Sequence, residues 1–423
     1  MEPPLRYALL TPGGLAEVCA QALLAECSLR AEIEAPRAPE LPRGFAAGRA
    51  GSTSPLLLSS ASPLPAEALR FSCLSAALAL VEHKSFTLPP RAEQIAAAID
   101  GERWRRALVL WERHAGEGGA PQTFRVASVR SGGRGACSSR EIDAAVGAAV
   151  GALQPEWRVE LRAPRLLVLC VLLHTTLTVG LLLPPFSPRA ADVFPSEPRP
   201  HALRGAQRPH TRPARAAALV RLAALSDGEK LLDPVGGIGV IALEAARFAA
   251  VDVISLDLDA AACDLAEENV AGAALRGRVR VMCASAYATG LPPGSIDVVI
   301  ADLPFGLRHA RLDVALLLRE LARVLRPGGR ALLLGSAAAG GTAAACVKAA
   351  ERRQPGVWAL RGSTPCSAGG VACLALMFER QGEATQLLPK RPPLVVLPSI
   401  KPVLLASVLF VVLARVLWAR GSK

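Results

Sequence analysis

Residues 230–244 constrain the fold more than any other part of the chain. They read KLLDPVGGIGVIALE, in which apolar residues before Asp233 form a short buried strand and those after the glycines recur at helical spacing. The three glycines between them, Gly236, Gly237 and Gly239, let the backbone take positive φ and approach a ligand that a Cβ would exclude. The stretch therefore predicts a strand, a glycine turn that cradles a nucleotide, and a helix.

The same turn also satisfies the dinucleotide fingerprint, because Gly237, Gly239 and Ala242 have its spacing and acidic Asp257 follows at a suitable distance. A second stretch separates the two interpretations. Residues 297–306, DVVIADLPFG, place an acid, a proline and an aromatic residue directly after another buried strand. A dinucleotide dehydrogenase does not need this group, whereas an enzyme that methylates an amino group on a planar base does. The sequence therefore favours S-adenosylmethionine over NAD.

Strands and helices alternate around these motifs, which predicts a doubly wound α/β sheet with its ligands at the carboxyl ends of the strands. We predict strands over 230–233, 252–257, 279–283, 296–301 and 331–334, a helix over 312–325 and a late antiparallel strand over 371–378. The predicted fold of this region is the class I methyltransferase version of the Rossmann-like sheet.

The first half of the chain predicts an α+β module. Its predicted elements are a strand over 6–10, helices over 15–27 and 95–114, a strand over 124–133, a helix from the capping box at 138–141 to residue 153, and a strand over 157–161. Residues 166–183 are apolar enough to raise a transmembrane helix, but His-Thr-Thr lies at their centre. Two buried strands joined by a turn fit this stretch better.

Composition narrows the class of protein. The 423 residues, 51% of them hydrophobic, are enough for two or three domains with real cores. A net charge of +12 favours a polyanionic partner such as RNA, although it also fits generic solubility. The ten cysteines form no C-x-x-C pair and the N-terminus has no secretory pattern, so we expect a nuclear and/or cytoplasmic protein that is not secreted. The six dispersed histidines indicate no metal site.

Several short stretches resemble a THUMP domain, a module of RNA-modifying enzymes: FRVASVRSGG at 124–133, SSREI at 138–142, WRVELRAP at 157–164 and VGL at 179–181. With 231–244 and 302–306, they make residues 6–378 similar to the THUMP-domain-containing RNA guanine-N2 methyltransferases of the eukaryotic type. IDGERW at 99–104 and the Gly237-Ile-Gly239 turn are most similar to the member linked to spliceosomal small nuclear RNA.

The resemblance implies a ferredoxin-like and THUMP module over residues 1–185 that holds RNA, a methyltransferase domain over 226–380, and between them a basic Pro/Arg linker over 186–225. It implies transfer of a methyl group from S-adenosylmethionine to guanine N2 in a structured RNA, small nuclear RNA or tRNA, with a small activator subunit as a partner. An RNA-binding protein with weak catalysis remains an alternative. An NAD-dependent oxidoreductase is a remote one, because neither Tyr7 nor Tyr287 belongs to a Tyr-x-x-x-Lys motif.

Four residues besides the glycines are expected to contact the cofactor. Asp257 ends the second strand and can accept both ribose hydroxyls. Asp233 either contacts the methionine part of the cofactor or fixes the junction between strand and turn. Ser285 stands where many class I methyltransferases have an acid for the adenine amino group; its hydroxyl accepts that bond without a charge, so we expect reduced cofactor affinity. Asp302 is assigned to the cofactor as well as to catalysis.

The predicted catalytic group is Asp302, Pro304 and Phe305. The exocyclic nitrogen of guanine is a poor nucleophile because its lone pair is delocalised into the ring. A carboxylate that accepts one N–H, with a backbone carbonyl of the Leu-Pro segment accepting the other, can draw this nitrogen toward sp³ geometry. Phe305 would stack on the extruded base. The structural alternative is that Phe305 packs between sheet and helix and Asp302 caps a turn.

Basic residues are the predicted RNA contacts. The segment from 198 to 226 carries six arginines and no acidic residue. This composition fits either a solvated linker or a phosphate-binding surface. The predicted RNA-contacting residues are Arg130, Arg134, Arg204, Arg208, Arg212, Arg215 and Arg308. The tail over 381–423 has no assigned role: its apolar residues 402–418 are interrupted by Arg415 and short for a membrane span, so a weak anchor and an interfacial helix both remain open.

Overall fold

The structure is a computed structural model that describes residues 4–27, 32–34, 53–116, 121–131, 137–186, 202–304, 312–338, 340–368 and 371–382. These residues lie within one compact unit, residues 1–382. The apolar tail lies outside the described residues. Among the residues described, no helix is long and apolar enough to cross a membrane.

The N-terminal module is built on one eight-stranded sheet in the order β2-β3-β1-β4-β8-β7-β5-β6. Its strands are β1 (Leu5–Pro12), β2 (Glu32–Glu34), β3 (Thr53–Ser60), β4 (Ala76–Ser85), β5 (Thr123–Ser131), β6 (Arg158–Val159), β7 (Leu166–Leu173) and β8 (Thr176–Leu182). Its helices are α1 (Ala16–Glu26), α2 (Ala66–Leu69), α3 (Ala92–Ala96), α4 (Gly101–Ala115) and α5 (Ser139–Leu153). Antiparallel pairing of β4 with β8 joins the two halves of the module into this single sheet.

Two predictions for the module can be compared directly with the structure. The apolar stretch 166–183 is a buried antiparallel hairpin, as predicted, with His174 at positive φ in its turn. The single helix predicted over 95–114 is wrong, because the chain forms two helices there. Asp100 separates them: its carboxylate accepts hydrogen bonds from the N–H groups of Glu102 and Arg103 and so starts a new helix at Gly101.

The second sheet has seven strands in the order β11-β10-β9-β12-β13-β15-β14. The strands are β9 (Lys230–Asp233), β10 (Asp252–Asp257), β11 (Val279–Cys283), β12 (Ile296–Asp302), β13 (Leu325–Ser336), β14 (Trp358–Ala368) and β15 (Val371–Arg380), with helices α7 (Val240–Phe248), α8 (Ala260–Gly272), α9 (Val314–Val324) and α10 (Thr342–Arg353). The first five strands are parallel, and β15 is antiparallel to β13, as predicted. The sheet is therefore of the Rossmann-like type.

Part of the predicted linker is a buried helix, α6 (Pro213–Leu222). Pro213 occupies its first turn, where a missing N–H costs nothing, and the residues from 214 to 220 are buried against α1, α7 and β1. The first part of the predicted linker, residues 187–201, lies outside the described residues. The alanines of this segment thus form part of the core rather than a tether, because small side chains let α6 approach both neighbours closely.

The N-terminal module and the second sheet are joined by specific contacts. The guanidinium of Arg221 in α6 makes two hydrogen bonds to the carboxylate of Glu26, at 2.7 and 2.6 Å. It also lies between two aromatic rings, 4.8 Å from the centroid of Phe71 and 4.7 Å from that of Phe248. Bidentate pairing and cation–π contact together fix the α6 helix against the module.

A second contact joins the turn after β1 to the β14 strand. The N–H of Ser367 donates to the carbonyl of Gly13 at 3.0 Å. Gly14 lies so close to this strand that an added Cβ would stand 2.3 Å from the carbonyl oxygen of Pro365. Because backbone meets backbone here, the module approaches the edge of the second sheet as closely as a glycine allows.

Candidate functional site

The glycine turn follows β9 and has the conformation that the sequence predicts. Gly237 and Gly239 take φ values of +54° and +85°, and α7 begins directly after them. A Cβ on Gly236 would stand 2.0 Å from the Oγ atom of Ser255, on the neighbouring strand. The turn therefore needs glycine both for its conformation and for its close approach to β10.

Asp257 ends β10 beside this turn. Its Oδ2 atom accepts the N–H of Gly237 at 2.8 Å, and its Oδ1 atom accepts the N–H of Asp259 at 2.9 Å. The carboxylate remains half-exposed at the carboxyl edge of the sheet. Two backbone donors thus fix its direction and leave further lone pairs for hydroxyl groups of a ligand.

Asp233 lies at the end of β9 and is fully buried. Its Oδ1 atom accepts the N–H of Val235 at 3.3 Å, whereas its Oδ2 atom has no hydrogen-bond partner among the described residues. Burial first, and then the charges of Asp257 and Asp302, raise the pKa of this carboxyl to about 8. An unpartnered oxygen beside the glycine turn is suited to accept a hydrogen bond from a ligand held there.

Ser285 follows β11 in a short turn, where its Oγ atom accepts the N–H of Tyr287 at 3.2 Å. The hydroxyl is half-buried and keeps its own O–H for another partner. Sequence reasoning missed a neighbour of this site, Leu258, whose side chain is 75% exposed directly after Asp257. The sequence signal for this neighbour is an apolar residue between two acids, Asp257 and Asp259, at a strand end. Such a side chain offers an apolar contact to a planar ring.

Asp302 is the last residue of β12, and β12 pairs directly with β9 in parallel register. The half-exposed carboxylate accepts a hydrogen bond from the Oγ1 atom of Thr211. The next residue, Leu303, is buried and donates its N–H to the carbonyl of Leu334 at 2.9 Å, and Pro304 is half-buried. Phe305 lies outside the described residues. Sequence reasoning did not find Thr211, because no local pattern links it to Asp302.

Residues 204–211, which we name the arginine strap, lie along the same edge of the sheet. The strap starts on α8, where the N–H of Arg204 donates to Oδ1 of Asn269 at 2.7 Å. The Arg208 guanidinium then pairs with Asp259 at 2.9 Å. The strap ends at Thr211 on Asp302. The strap therefore runs from α8 to the end of β12.

The predicted RNA-contacting arginines differ in their surroundings. Arg204 and Arg212 are exposed, and Arg208 is half-buried. The structure contradicts a phosphate contact for Arg215, because its side chain is 6% exposed in the buried face of α6. Arg130 is half-buried and donates to the carbonyl of Cys137 within the module. Arg134 and Arg308 lie outside the described residues.

The remaining chemistry of the site is that of buried thiols and carboxylates. Cys366 and Cys373 face each other across β14 and β15, and burial raises the pKa of both thiols, to about 12 and about 11, with the charge of Asp302 adding to the effect. Such thiols stay protonated and are poor nucleophiles at neutral pH. Within the described ranges, no group of three His, Cys, Asp or Glu residues is placed to hold a metal ion.

Comparison with known families assigns residues 204–358 to a methyltransferase domain. Residues 204–358 match the family model described as RMKL-like, methyltransferase domain. The match includes the arginine strap, the glycine turn and Asp302. This region is therefore a methyltransferase domain of that type, and the prediction of a methyltransferase is confirmed.

Curated relatives give the same assignment. The chain is 35% identical over 119 residues to U6 snRNA (guanine-N(2))-methyltransferase THUMPD2 of Bos taurus, covering 28% of this chain and 24% of that protein. The human THUMPD2 is 33% identical over the same shares. The ubiquinone/menaquinone biosynthesis C-methyltransferase UbiE of Geobacter sulfurreducens is 35% identical, over 26% of this chain and 42% of that protein. The chain spans about a quarter of the length of the THUMPD2 relatives it matches. Over these 119 residues, the predicted resemblance to the guanine-N2 methyltransferases is confirmed.

Two solved structures share the fold over nearly the whole chain. TrmN from Thermus thermophilus has a TM-score of 0.60 at 24% identity, covering 89% of this chain and 99% of that one. SMU.472, complexed with SAH, has a TM-score of 0.57 at 13% identity, with 91% and 100% covered. At this level of identity they show the fold alone. The predicted combination of an N-terminal α+β module and a Rossmann-like methyltransferase sheet is confirmed.

Proposed function

We propose that this protein transfers a methyl group from S-adenosylmethionine to the N2 atom of a guanosine in a structured RNA, a small nuclear RNA or a tRNA. The observation that carries the proposal is the pairing of β9 with β12. It places the glycine turn and the Asp302 carboxylate at the carboxyl ends of adjacent strands. The names of the THUMPD2 relatives supply the RNA and the guanine N2 atom.

The residues of the turn fit the cofactor. An added Cβ on Gly237 would meet no atom of the described residues within 4 Å, so space is open beside the turn, and the unpartnered oxygen of Asp233 is suited to an ammonium group. Asp257 is fixed by backbone N–H groups with lone pairs left for ribose hydroxyls. Ser285 and Leu258 are proposed to contact the adenine. S-adenosylmethionine supplies an electrophilic methyl group on a sulfonium. The SAH in the SMU.472 structure supports this choice of cofactor.

In this proposal the acceptor side of the site activates the guanine amine. Asp302 accepts one N–H of the amino group, and a carbonyl of the segment before Pro304 accepts the other. This arrangement orients the nitrogen lone pair toward the methyl group, an effect of positioning and electrostatics rather than of covalent catalysis. Thr211 holds the Asp302 carboxylate in place for that contact. Phe305 is proposed as the stacking surface for the extruded base.

The N-terminal module, residues 1–185, is proposed as the RNA-holding part, in the nucleus or cytoplasm. Arg221 and the contact of Ser367 with Gly13 fix this module against the methyltransferase domain, so RNA held by the module meets the site in a defined position. The arginine strap and Arg212 lie between the two in the sequence and are proposed to offer cations to the RNA backbone. A small activator subunit is proposed as a further partner.

The test is methylation of total small RNA by the purified chain with S-adenosylmethionine, with and without an activator subunit, followed by mass spectrometry of the nucleosides. We expect N2-methylguanosine, and its loss in the Asp302→Ala variant. A methyl group on ribose, on a ring nitrogen or on adenine would contradict the assignment of the 302–306 motif. Saturable RNA binding with no methyl transfer under either condition would favour the alternative, an RNA-binding protein with weak catalysis.

The RNA contacts are tested by a salt titration of RNA binding. Replacing Arg204, Arg208 and Arg212 together should lower the slope of log Kd against log salt by about one for each lost phosphate contact. Arg361→Ala, in an exposed pair with Glu379 on the far edge of the sheet, is the matched control. An unchanged slope in the triple variant would mean that the strap makes no contact with phosphate.

A further inference from the structure

Asn269 bonds two segments that are distant in sequence. It lies in α8 and is 1% exposed. Its Oδ1 atom accepts the N–H of Arg204 at 2.7 Å, and its Nδ2 atom donates to the carbonyls of Arg204 at 3.2 Å and of Ile238 at 3.0 Å. Arg204 opens the arginine strap and Ile238 lies within the glycine turn. One buried carboxamide therefore connects the proposed RNA-contacting strap to the proposed cofactor turn.

The α8 helix packs against both of these segments around Asn269. On the turn side, a Cβ added to Gly239 would stand 3.3 Å from the Cβ of Ala266, one helical turn before Asn269. On the strap side, Gly205 takes positive φ, and an added Cβ would stand 2.7 Å from the side chain of Leu265. The turn and the strap therefore both pack closely against α8, on either side of Asn269.

The energetics of a buried amide make this connection stiff. A buried donor or acceptor that loses its partner costs about 1–3 kcal/mol, so each of the three bonds of Asn269 opposes separation of the strap from the turn. Separation of strap from turn would leave polar groups of Asn269 unsatisfied inside the protein. Ordering of the turn by a ligand is thus transmitted to Arg204, and the strap continues from there to Arg208 and to Thr211 on Asp302.

We propose that Asn269 is a positioning residue that couples cofactor binding at the glycine turn to the placement of the arginine strap, and through it to RNA binding. The inference rests on the proposed function for the identity of the two ligands. Because such coupling is reciprocal in binding free energy, RNA on the strap would raise cofactor affinity by the same factor as the cofactor raises RNA affinity.

The test measures backbone hydrogen exchange with and without SAH, so that it does not depend on RNA. In the wild type we expect SAH to slow exchange both in a peptide that covers the glycine turn and in one that covers residues 204–211. Asn269→Ala should keep the protection of the turn and lose that of the strap. Asn269→Asp keeps the acceptor for the Arg204 N–H and removes both donor bonds, so it should behave like Asn269→Ala even if the latter folds poorly.

A matched control is Thr289→Val, which removes a buried polar group that bonds to Glu320 rather than to the strap or the turn. It should leave the strap protected. Wild-type protection of the turn without protection of the strap would overturn the inference and leave the proposed cofactor site intact. So would full strap protection in both Asn269 variants. Protection of neither segment in the wild type would instead contradict the cofactor site and, with it, the coupling.

A second arm uses RNA. Saturating SAH should tighten RNA binding by the wild type about 5-fold or more, within the usual range of coupling between sites. In the Asn269 variants that ratio should fall to one while SAH affinity itself changes much less. If SAH tightens RNA binding as much in the variants as in the wild type, the assignment of Asn269 is overturned. If SAH does not change RNA affinity in the wild type, the coupling is overturned.

Discussion

The two halves of the site are held together in different ways. The cofactor half, at the ends of β9, β10 and β11, depends on bonds within one short part of the chain, such as Gly237 to Asp257, 20 residues apart. The acceptor half, at the end of β12, depends on contacts such as Thr211 to Asp302, 91 residues apart. The cofactor half is therefore local and readable from a motif, whereas the acceptor half exists only when distant segments fold together.

The largest expected effect would remove a buried ion pair that anchors the end of α6 to the second sheet. Arg330 in β13 is buried and pairs with the Glu229 carboxylate at 2.8 and 2.6 Å, and it also donates to the carbonyls of Ala223 and Ala224 at the end of α6. Arg330→Met removes the guanidinium that pairs with the buried Glu229 carboxylate and leaves that carboxylate with the hydrogen bond from the N–H of Ser226 at 3.0 Å. We expect a loss of about 3–5 kcal/mol in the free energy of unfolding, measured by urea denaturation.

The control for this prediction is Arg361→Met, in an exposed pair with Glu379 at 3.1 Å on β14. It should change stability by only about 0–1 kcal/mol. Equal effects of the two substitutions would show that the buried pair does not anchor α6 to the sheet.

The next prediction separates the two halves by kinetics. Asp302→Ala should lower the rate of methyl transfer about 100-fold or more, the usual cost of one preorganised electrostatic group. Its affinity for SAH, measured by calorimetry, should change much less, because the bonds of the glycine turn and Asp257 do not involve Asp302. A loss of SAH binding as large as the loss of rate would show that the two halves are one unit.

The opposite experiment damages the cofactor half. In Gly236→Ala the new Cβ would meet the Ser255 Oγ atom at 2.0 Å. Overpacking of this kind costs about 1–3 kcal/mol, so we expect SAH affinity to fall by up to roughly 5- to 150-fold. Gly277→Ala, where an added Cβ meets no atom within 4 Å, is the control and should bind SAH normally. Normal SAH binding by Gly236→Ala would place the cofactor elsewhere.

A further prediction concerns the pH dependence of stability. Burial first, and then the charges of Asp257 and Asp302, raise the pKa of Asp233 to about 8, above its unfolded value of about 4. Between these values the folded state binds the extra proton, so this residue makes the free energy of unfolding fall as the pH rises from about 4 to about 8. Denaturation at several pH values should show a flatter profile for Asp233→Asn than for wild type. The control is Asp252→Asn, at the exposed start of β10.

The sequence leaves the role of Asp233 open, and the pH dependence of SAH binding can decide it. If Asp233 contacts the ammonium group of the cofactor, its carboxylate must be ionised in the complex, and SAH affinity should rise as the pH approaches about 8. If Asp233 only fixes the junction of strand and turn, SAH affinity should not follow its titration. Calorimetry of the wild type and of Asp233→Asn distinguishes the two.

Much of the cofactor half follows from the sequence because its physics is local. A short buried strand, glycines that tolerate positive φ, and an acid at the next strand end leave few ways to fold, and Gly236, Gly237, Gly239 and Asp257 lie where the motif predicts. The break of the helix at Asp100 was equally local, since an acid with free N–H groups after it is an N-cap signal, but the long apolar pattern obscured it.

By itself, the sequence determined the Rossmann-like sheet, the glycine turn, the apolar hairpin and the acid after the fourth strand, because periodicity and backbone preference act over a few residues. Only the tertiary structure decided that the predicted linker contains a buried helix, that Arg215 lies inside it, and that Thr211 meets Asp302. It also decided that Asn269 joins the strap to the turn. Such contacts arise when packing brings together residues tens of positions apart, and the free energy of burial that selects them leaves no pattern in the neighbouring residues.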